Sequence, residues 1–303
     1  MTKKTLFITY KAPSAILEGG GQGAQKNYNT ICQIVGKENV AMYYVHDESQ
    51  KTSVWRYLIS GILTIFNYYY GLTPWRVRKI VQMAQPFDFV FIDRTLFGII
   101  AKKLRKSNFH GKIISYFHNV EKIYIDAKLS PKMPFRRFLI NCADVNDRYS
   151  CEYSDTIIAL NQRDANILEK NYSRPIDYIV PVCLPDKLSG QDTPPTDMMT
   201  PSSRLSCLFL GAYFGPNNDG VLWFVKNVLP KVDVHLKIVG RGMNKLKKEN
   251  ECLSTVEVYS DVPDLDPFMK EADVMILPIF SGSGMKVKTC ESLMYGKNII
   301  GTS

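Results

Sequence analysis

The chain has 303 residues, 45% of them hydrophobic and 22% charged, with a formal net charge of +9. Such proportions belong to a globular protein of one large or two ordinary domains with real apolar cores. The seven cysteines (32, 142, 151, 183, 207, 252 and 290) include no C-x-x-C pair, which argues against a disulfide framework or a zinc site and for a reducing compartment. Positive charge without a nucleic-acid motif or an arginine-rich tail favours anionic sugar nucleotides or lipid headgroups over nucleic acid as partners. Met1–Lys4 runs straight into a strand-like segment, so no signal peptide is expected and the natural location is cytoplasmic.

In the first half, apolar strand-like runs at 5–10, 40–45, 88–93, 112–117 and 156–160 alternate with longer helical stretches. That alternation predicts a parallel sheet built from right-handed crossovers. After the first strand, Glu18–Asn27 (EGGGQGAQKN) places three consecutive glycines and Gly23 just before a helix. Gly19-x-Gly21-x-x-Ala24 satisfies a dinucleotide fingerprint, with Asp47 and Glu48 as ribose acids after the second strand. The fingerprint sets its first glycine tight against the strand, whereas residues 11–18 intervene here, so a dehydrogenase is disfavoured. Two readings are left: a ligand-lining loop carrying Gly20, Gly21 and Gln22, or a turn that needs positive φ where the helix begins.

Residues 55–72 (WRYLISGILTIFNYYYGL) form the most apolar stretch. The run is just short of the about 20 residues that span a bilayer and contains Arg56, Asn67 and three tyrosines, which argues against a transmembrane helix. Basic flanks (Lys51, Arg76, Arg78, Lys79) with Trp55 and Trp75 fit an interfacial element at an anionic membrane; a helix buried in the domain fits equally.

Asp93-Arg94 closes the third strand, and Phe117-His118-Asn119-Val120-Glu121 closes the fourth. Ligands of open α/β sheets bind at these carboxyl ends. His118 either reaches a substrate or is simply hydrogen-bonded at a strand end; Asp93 and Arg94 either contact an acceptor or form an internal ion pair. Asn161-Gln162-Arg163-Asp164 opens the helix after the fifth strand, where capping by Asn161 with Asp164 in the first turn is a sufficient account.

Residues 184–203 (LPDKLSGQDTPPTDMMTPSS) break the pattern and read as a linker. Strands then resume near 206–210, 234–239, 255–258, 273–277 and 298–300. The expected division is a domain over 1–183, a linker over 184–204 and a second domain over 205–303. The most informative segment is Ser281–Ser303 (SGSGMKVKTCESLMYGKNIIGTS). A small Gly-containing loop with Ser283 and Gly284 leads into a helical stretch bearing Lys286, Lys288 and Glu291. A glycine loop opening a helix offers free amides and the positive dipole end to an anion. Two lysines add charge, and Glu291 lies further in, where it can accept ribose hydroxyls; the order suits a nucleotide diphosphate.

Gly211 after an apolar strand, Pro216-Asn217 opening a helix, the Val239-Gly240-Arg241-Gly242 turn, the Asp273–Pro278 strand and the Lys288-x-x-Glu291 pair occur in one order and spacing. Together they resemble the nucleotide-sugar half of GT-B glycosyltransferases of the retaining family 4 type. The resemblance implies an α/β GT-B fold, two Rossmann-like doubly wound domains facing a cleft, with acceptor in the first and nucleotide-diphosphate sugar in the second. It implies donor contacts from Gly211, Asn217, Arg241, Ser283, Gly284, Lys286, Lys288 and Glu291, and His118 as the catalytic candidate. Gly20, Gly21, Gln22, Asp93, Arg94, Asn119, Glu121 and Arg163 would line the cleft or meet the acceptor. No metal and no cofactor are expected: loop amides, helix dipole and lysines would stabilise the leaving diphosphate. Family analogy further suggests assembly of a surface or capsular polysaccharide on a lipid carrier, at the inner face of the cell membrane. Two departures stand out. Ser283 occupies the position where many relatives carry the first of two glutamates, and relatives continue past the equivalent of Thr302 with further strand–helix units, so the second domain is expected to be incomplete. Alternatives are a non-catalytic nucleotide- or partner-binding protein and a sugar-nucleotide epimerase of the same fold.

Overall fold

The computed structural model describes residues 3–11, 19–46, 54–69, 71–184, 188, 204–246, 254–281 and 287–302, with the backbone alone at 19, 20, 22 and 54–58. The described residues gather into two compact units, one ending at Val182 and one beginning at Cys183.

The first unit contains β1 (Thr5–Thr9), α1 (Gly19–Val35), β2 (Val40–Tyr44), α2 (Val54–Ile65), α3 (Pro74–Ala84), β3 (Phe89–Ile92) and α4 (Gly98–Lys106). It continues with β4 (Lys112–Phe117), α5 (Glu121–Lys128), α6 (Arg136–Tyr153), β5 (Thr156–Ala159), α7 (Gln162–Tyr172) and β6 (Tyr178–Ile179). The sheet order is β2-β1-β3-β4-β5-β6, and every pairing is parallel. Both faces of such a sheet are covered, so its central strands are apolar at successive positions instead of alternating. β1 shows this: Leu6 and Ile8 pack with Val90, Ile92 and Phe97 on one side, while Phe7 packs with Phe91 and Tyr116 on the other. All three β1 side chains are fully buried, each worth roughly 1.5–3 kcal/mol of transfer from water.

The second unit contains β7 (Leu205–Leu210), α8 (Gly215–Asn227), β8 (Val234–Gly240), β9 (Val256–Ser260), α9 (Asp266–Glu271), β10 (Val274–Leu277), α10 (Val287–Met294) and β11 (Asn298–Gly301). Its sheet, ordered β11-β10-β7-β8-β9, is also parallel throughout. Phe209, Leu236, Ile238 and Ile276 build the core on one side, and Leu208, Leu210, Val239 and Met275 on the other. In each sheet the chain leaves one central strand to one side and later returns to the other. Open α/β sheets bind ligands at the carboxyl ends beside such a switch, which falls at β1/β3 in the first unit and β7/β10 in the second.

The ten expected strands are all present, and the short β6 is an addition. The glycine stretch expected as a loop is instead the opening of α1, which starts at Gly19 and so includes Gly20, Gly21 and Gln22. Of the stretch 55–72, α2 ends at Ile65 and Asn67 takes a left-handed φ of 65° beyond it. The helix is not wholly buried: Ile59, Ile62 and Ile65 are each more than half exposed, as are Phe66 and Trp75. Among the described residues no helix is long and apolar enough to cross a membrane.

Candidate functional site

At the carboxyl end of β3, Asp93 is fully buried and tied to three elements. The Thr9 hydroxyl from β1 donates to its Oδ2 at 3.2 Å, and the Asn27 amide from α1 donates to its Oδ1 at 2.9 Å. The same Oδ1 lies 3.2 Å from Nε2 of His118, the residue just past β4, though the N–H direction departs from an ideal hydrogen-bond line. His118 is itself buried, with the Tyr116 ring set edge-on at 4.9 Å. α1 passes so close that a Cβ on Gly23 would stand 3.0 Å from His118 Cε1. The first turns of α1, Asp93 and His118 therefore form one cluster beside the switch point.

Glu121 opens α5 and is fully buried. Neither of its carboxylate oxygens meets a hydrogen-bond partner at full geometry among the described residues, although Asn119 lies close enough to favour the ionised form. Burial raises its pKa; Arg94, His118 and Lys128 oppose the rise. Asp147 on α6 is buried nearby, accepting from Thr95 Oγ1 at 2.8 Å and from the Lys122 amide at 3.2 Å, and so caps α5. Burial and the neighbouring Glu121 push Asp147 well above the usual carboxylate range. Burial also raises the Tyr69 phenol, with Glu121 and Tyr10 adding to the rise and Arg94 opposing it.

These shifts have a thermodynamic sign. A carboxyl that holds its proton more tightly folded than unfolded favours folding below its ordinary value of 4.5, and that advantage fades as pH rises toward the folded value. Glutamine at 121 cannot ionise. Glu121→Gln is therefore expected to raise Tm over the wild type by an increment that grows as pH rises above the ordinary glutamate value. Thermal melts at a series of pH values above the ordinary glutamate value check it; a pH-independent difference would contradict the assignment.

Arg163 stands apart from this cluster. Its side chain is 61% exposed and pairs with the neighbouring Asp164 at 3.2 Å, while Asn161 Oδ1 accepts from the Asp164 amide at 2.8 Å. The local capping account describes this turn.

In the second unit, Gly211 follows β7, and its amide donates to the Val239 carbonyl at 3.0 Å. Asn217, in the first turn of α8, donates to the Ala212 carbonyl at 2.8 Å, which pins the turn after β7 to the helix. Lys288 of α10 donates to Asn217 Oδ1 at 3.0 Å and lies 4.7 Å from the centre of the Phe209 ring. An ammonium placed over an aromatic face and on an amide oxygen is held in position. Gly211, Asn217 and Lys288 are thus brought together at the carboxyl end of the sheet. Glu291 sits half-buried one turn along α10. Arg241 occupies the turn after β8, its carbonyl accepting from the Tyr213 amide at 2.8 Å. Asp261 lies beside that turn; the Ser260 hydroxyl, the Gly242 amide and the Arg241 charge hold its carboxyl below the usual range. Ser283, Gly284 and Lys286 lie outside the described residues, as do Asp47 and Glu48.

Residues that the sequence reading did not single out are Thr9, Asn27, Asp147 and Phe209. Thr9 ends a strand and Asn27 closes the quoted glycine stretch, so position alone could have nominated both.

Residues 204–303 match the family model of glycosyl transferases group 1. No curated protein sequence matches the chain. Among solved structures, HepE of Anabaena in complex with UDP-glucose is similar at a TM-score of 0.60 and 13% identity, over 99% of this chain and 80% of that one. A glycosyltransferase from Rickettsia africae is similar at 0.60 and 14%, over 100% and 80% of the two chains. A trehalose 6-phosphate synthase from Burkholderia multivorans is similar at 0.59 and 10%, over 99% and 83%. The chain has the GT-B fold, with two parallel Rossmann-like sheets, and its second unit is similar to the glycosyl transferases group 1.

Proposed function

We propose that the protein transfers a sugar from a nucleotide-diphosphate donor to a hydroxyl of a saccharide or lipid-linked acceptor, with retention of configuration. The observation that carries this reading is the Lys288–Asn217 contact beside Gly211, inside the segment similar to the glycosyl transferases group 1. A fixed ammonium at the carboxyl end of a parallel sheet suits a diphosphate, whose charge grows as the sugar leaves. Lys286, Arg241 and the backbone amides of residues 282–284 would share that role, with Ser283 and Gly284 near the sugar, Glu291 on the ribose, and no metal or cofactor required. The structure of HepE with UDP-glucose supports a nucleotide sugar as the donor class. His118, with Asn119 and Arg94 beside it, would meet the acceptor side, and the leaving phosphate would help take the acceptor's proton. A role in surface or capsular polysaccharide synthesis fits this chemistry.

Lys288→Ala and Glu291→Ala are each expected to weaken nucleotide binding by about tenfold or more, the loss of one charge-assisted contact. Isothermal titration with the preferred nucleotide checks both, and unchanged affinity in both would mean the donor site lies elsewhere. Transfer itself is tested by incubating the protein with nucleotide sugars, with and without saccharide acceptors. Nucleotide release that depends on acceptor supports the reading. Epimerised donor formed without acceptor would replace it with the epimerase alternative.

Peripheral contact with an anionic membrane is part of the proposal. The exposed Ile59, Ile62 and Ile65 lie at helical spacing on α2, and Trp75, Arg78 and Lys79 are exposed on α3. Co-sedimentation with phosphatidylglycerol vesicles is expected and should fall in Ile62→Asp; no binding by the wild type would remove this part.

A further inference from the structure

We propose that Asp93 is a positioning residue for His118, fixing its tautomer, and that Gly23 provides the space in which the ring is held; its bearing on catalysis rests on the transfer reading above. Asp93 has no exposure, and its orientation is set from two sides, by Thr9 on β1 and Asn27 on α1. An ionised carboxylate only accepts. Oδ1 lies 3.2 Å from His118 Nε2, short of full hydrogen-bond geometry, and the proposal places the hydrogen between them on the imidazole. Neutral histidine carries a single ring N–H, so placing it on Nε2 leaves the lone pair on Nδ1. That nitrogen is turned to α1: a Cβ added at Gly23 would lie 3.3 Å from Nδ1 and 3.0 Å from Cε1. A Cβ at 23 would press on the ring, which would have to give by a few tenths of an ångström. The carboxylate follows β3, and the amide that orients it and the glycine that admits the ring both belong to α1; all converge on one imidazole. Contacts of this kind in ligand-free sites commonly tighten when substrate binds.

The test is long-range proton–nitrogen correlation NMR on the full chain with labelled histidine, followed by kinetics. The four histidines are few enough to resolve, and His118→Gln assigns the signal. At a pH where the ring is neutral, the wild type should show the Nε2–H tautomer at His118; a dominant Nδ1–H form would overturn the proposal without any variant having to fold. Asp93→Asn should give mixed tautomers and lower kcat by about a hundredfold with the donor KM little changed, the signature of a mis-set imidazole and not of lost binding. Gly23→Ala should move the His118 ring signals and lower kcat in the same direction. An unchanged kcat in Asp93→Asn, with transfer by the wild type established, would overturn the proposal. If the tautomer is as expected but no donor and acceptor pair reacts, the Asp93–His118 pairing stands, the transfer reading fails, and the positioning role in transfer falls with it.

Discussion

His118→Ala is expected to lower sugar transfer by about two orders of magnitude while leaving nucleotide affinity within about twofold. The imidazole lies just past the carboxyl end of β4, with a buried carboxylate 3.2 Å from its Nε2 and α1 close against it. Groups held this firmly act through placement, and placement errors of about 1 Å cost roughly a hundredfold. The fold should survive the change, because Thr9 and Asn27 continue to satisfy Asp93. The separation of effects follows from the proposed division of labour, with the donor in the second unit and His118 in the first. Steady-state kinetics beside nucleotide titration checks it. A rate within about threefold of the wild type would remove His118 from the reaction, and a parallel loss of nucleotide affinity would place it on the donor.

The largest loss of stability is expected from Gly220→Ala. Gly220 is buried on α8, and a Cβ there would fall 1.7 Å from the carbonyl oxygen of Pro278 and 2.9 Å from its carbon. Both obstacles are backbone, so no rotamer relieves them; α8 and the end of β10 would have to move apart. Overpacking of this kind costs roughly 3 kcal/mol, or about 12 °C in Tm for a unit of this size. The same displacement would carry Asn217 away from Lys288, because Asn217 rides on α8 and Lys288 on the helix after β10. Nucleotide affinity should therefore fall together with stability. Gly215→Ala, five positions earlier on the same helix, meets no atom within 4 Å and should change Tm little. Thermal melts of the pair check the argument, which a near-normal Gly220→Ala would contradict.

The fold was legible because its signals are local and repeated. Apolar runs such as Leu6–Ile8 and Leu208–Leu210, separated by helical stretches, lead to parallel sheets with few alternatives. β6 escaped notice because a pair of exposed residues leaves no pattern. The glycines at 19–21 read as a loop because glycine disfavours helix interiors, yet what they open is a helix whose fourth glycine, Gly23, must clear the His118 ring. The stretch 55–72 could not be divided into buried and exposed faces, since helical spacing of isoleucines says which side is apolar and not what covers it.

The site was legible in its positions and less so in its pairings. Strand ends nominated Asp93, His118 and Gly211, and the structure sets each just past the carboxyl end of its strand. The partnership of Asp93 with His118 joins residues at the ends of two different strands, and only the β3–β4 register brings those ends together. Likewise Lys288 reads along the sequence as an exposed partner for Glu291, three residues on. In the structure its ammonium reaches Asn217, a contact across the sheet's carboxyl edge that sequence spacing does not reveal. Arg163 shows the reverse: a capping pattern sufficient in the sequence is also the geometry found.

The central claim is that the second unit holds a nucleotide through Lys288. Ligand-observed saturation-transfer NMR of the purified chain against UDP, GDP, ADP and CMP, and their common sugar conjugates, tests it most directly. The account predicts saturation transfer to one nucleotide and its sugar conjugate, lost in Lys288→Ala. Binding to none of them, or binding that Lys288→Ala leaves intact, would contradict it.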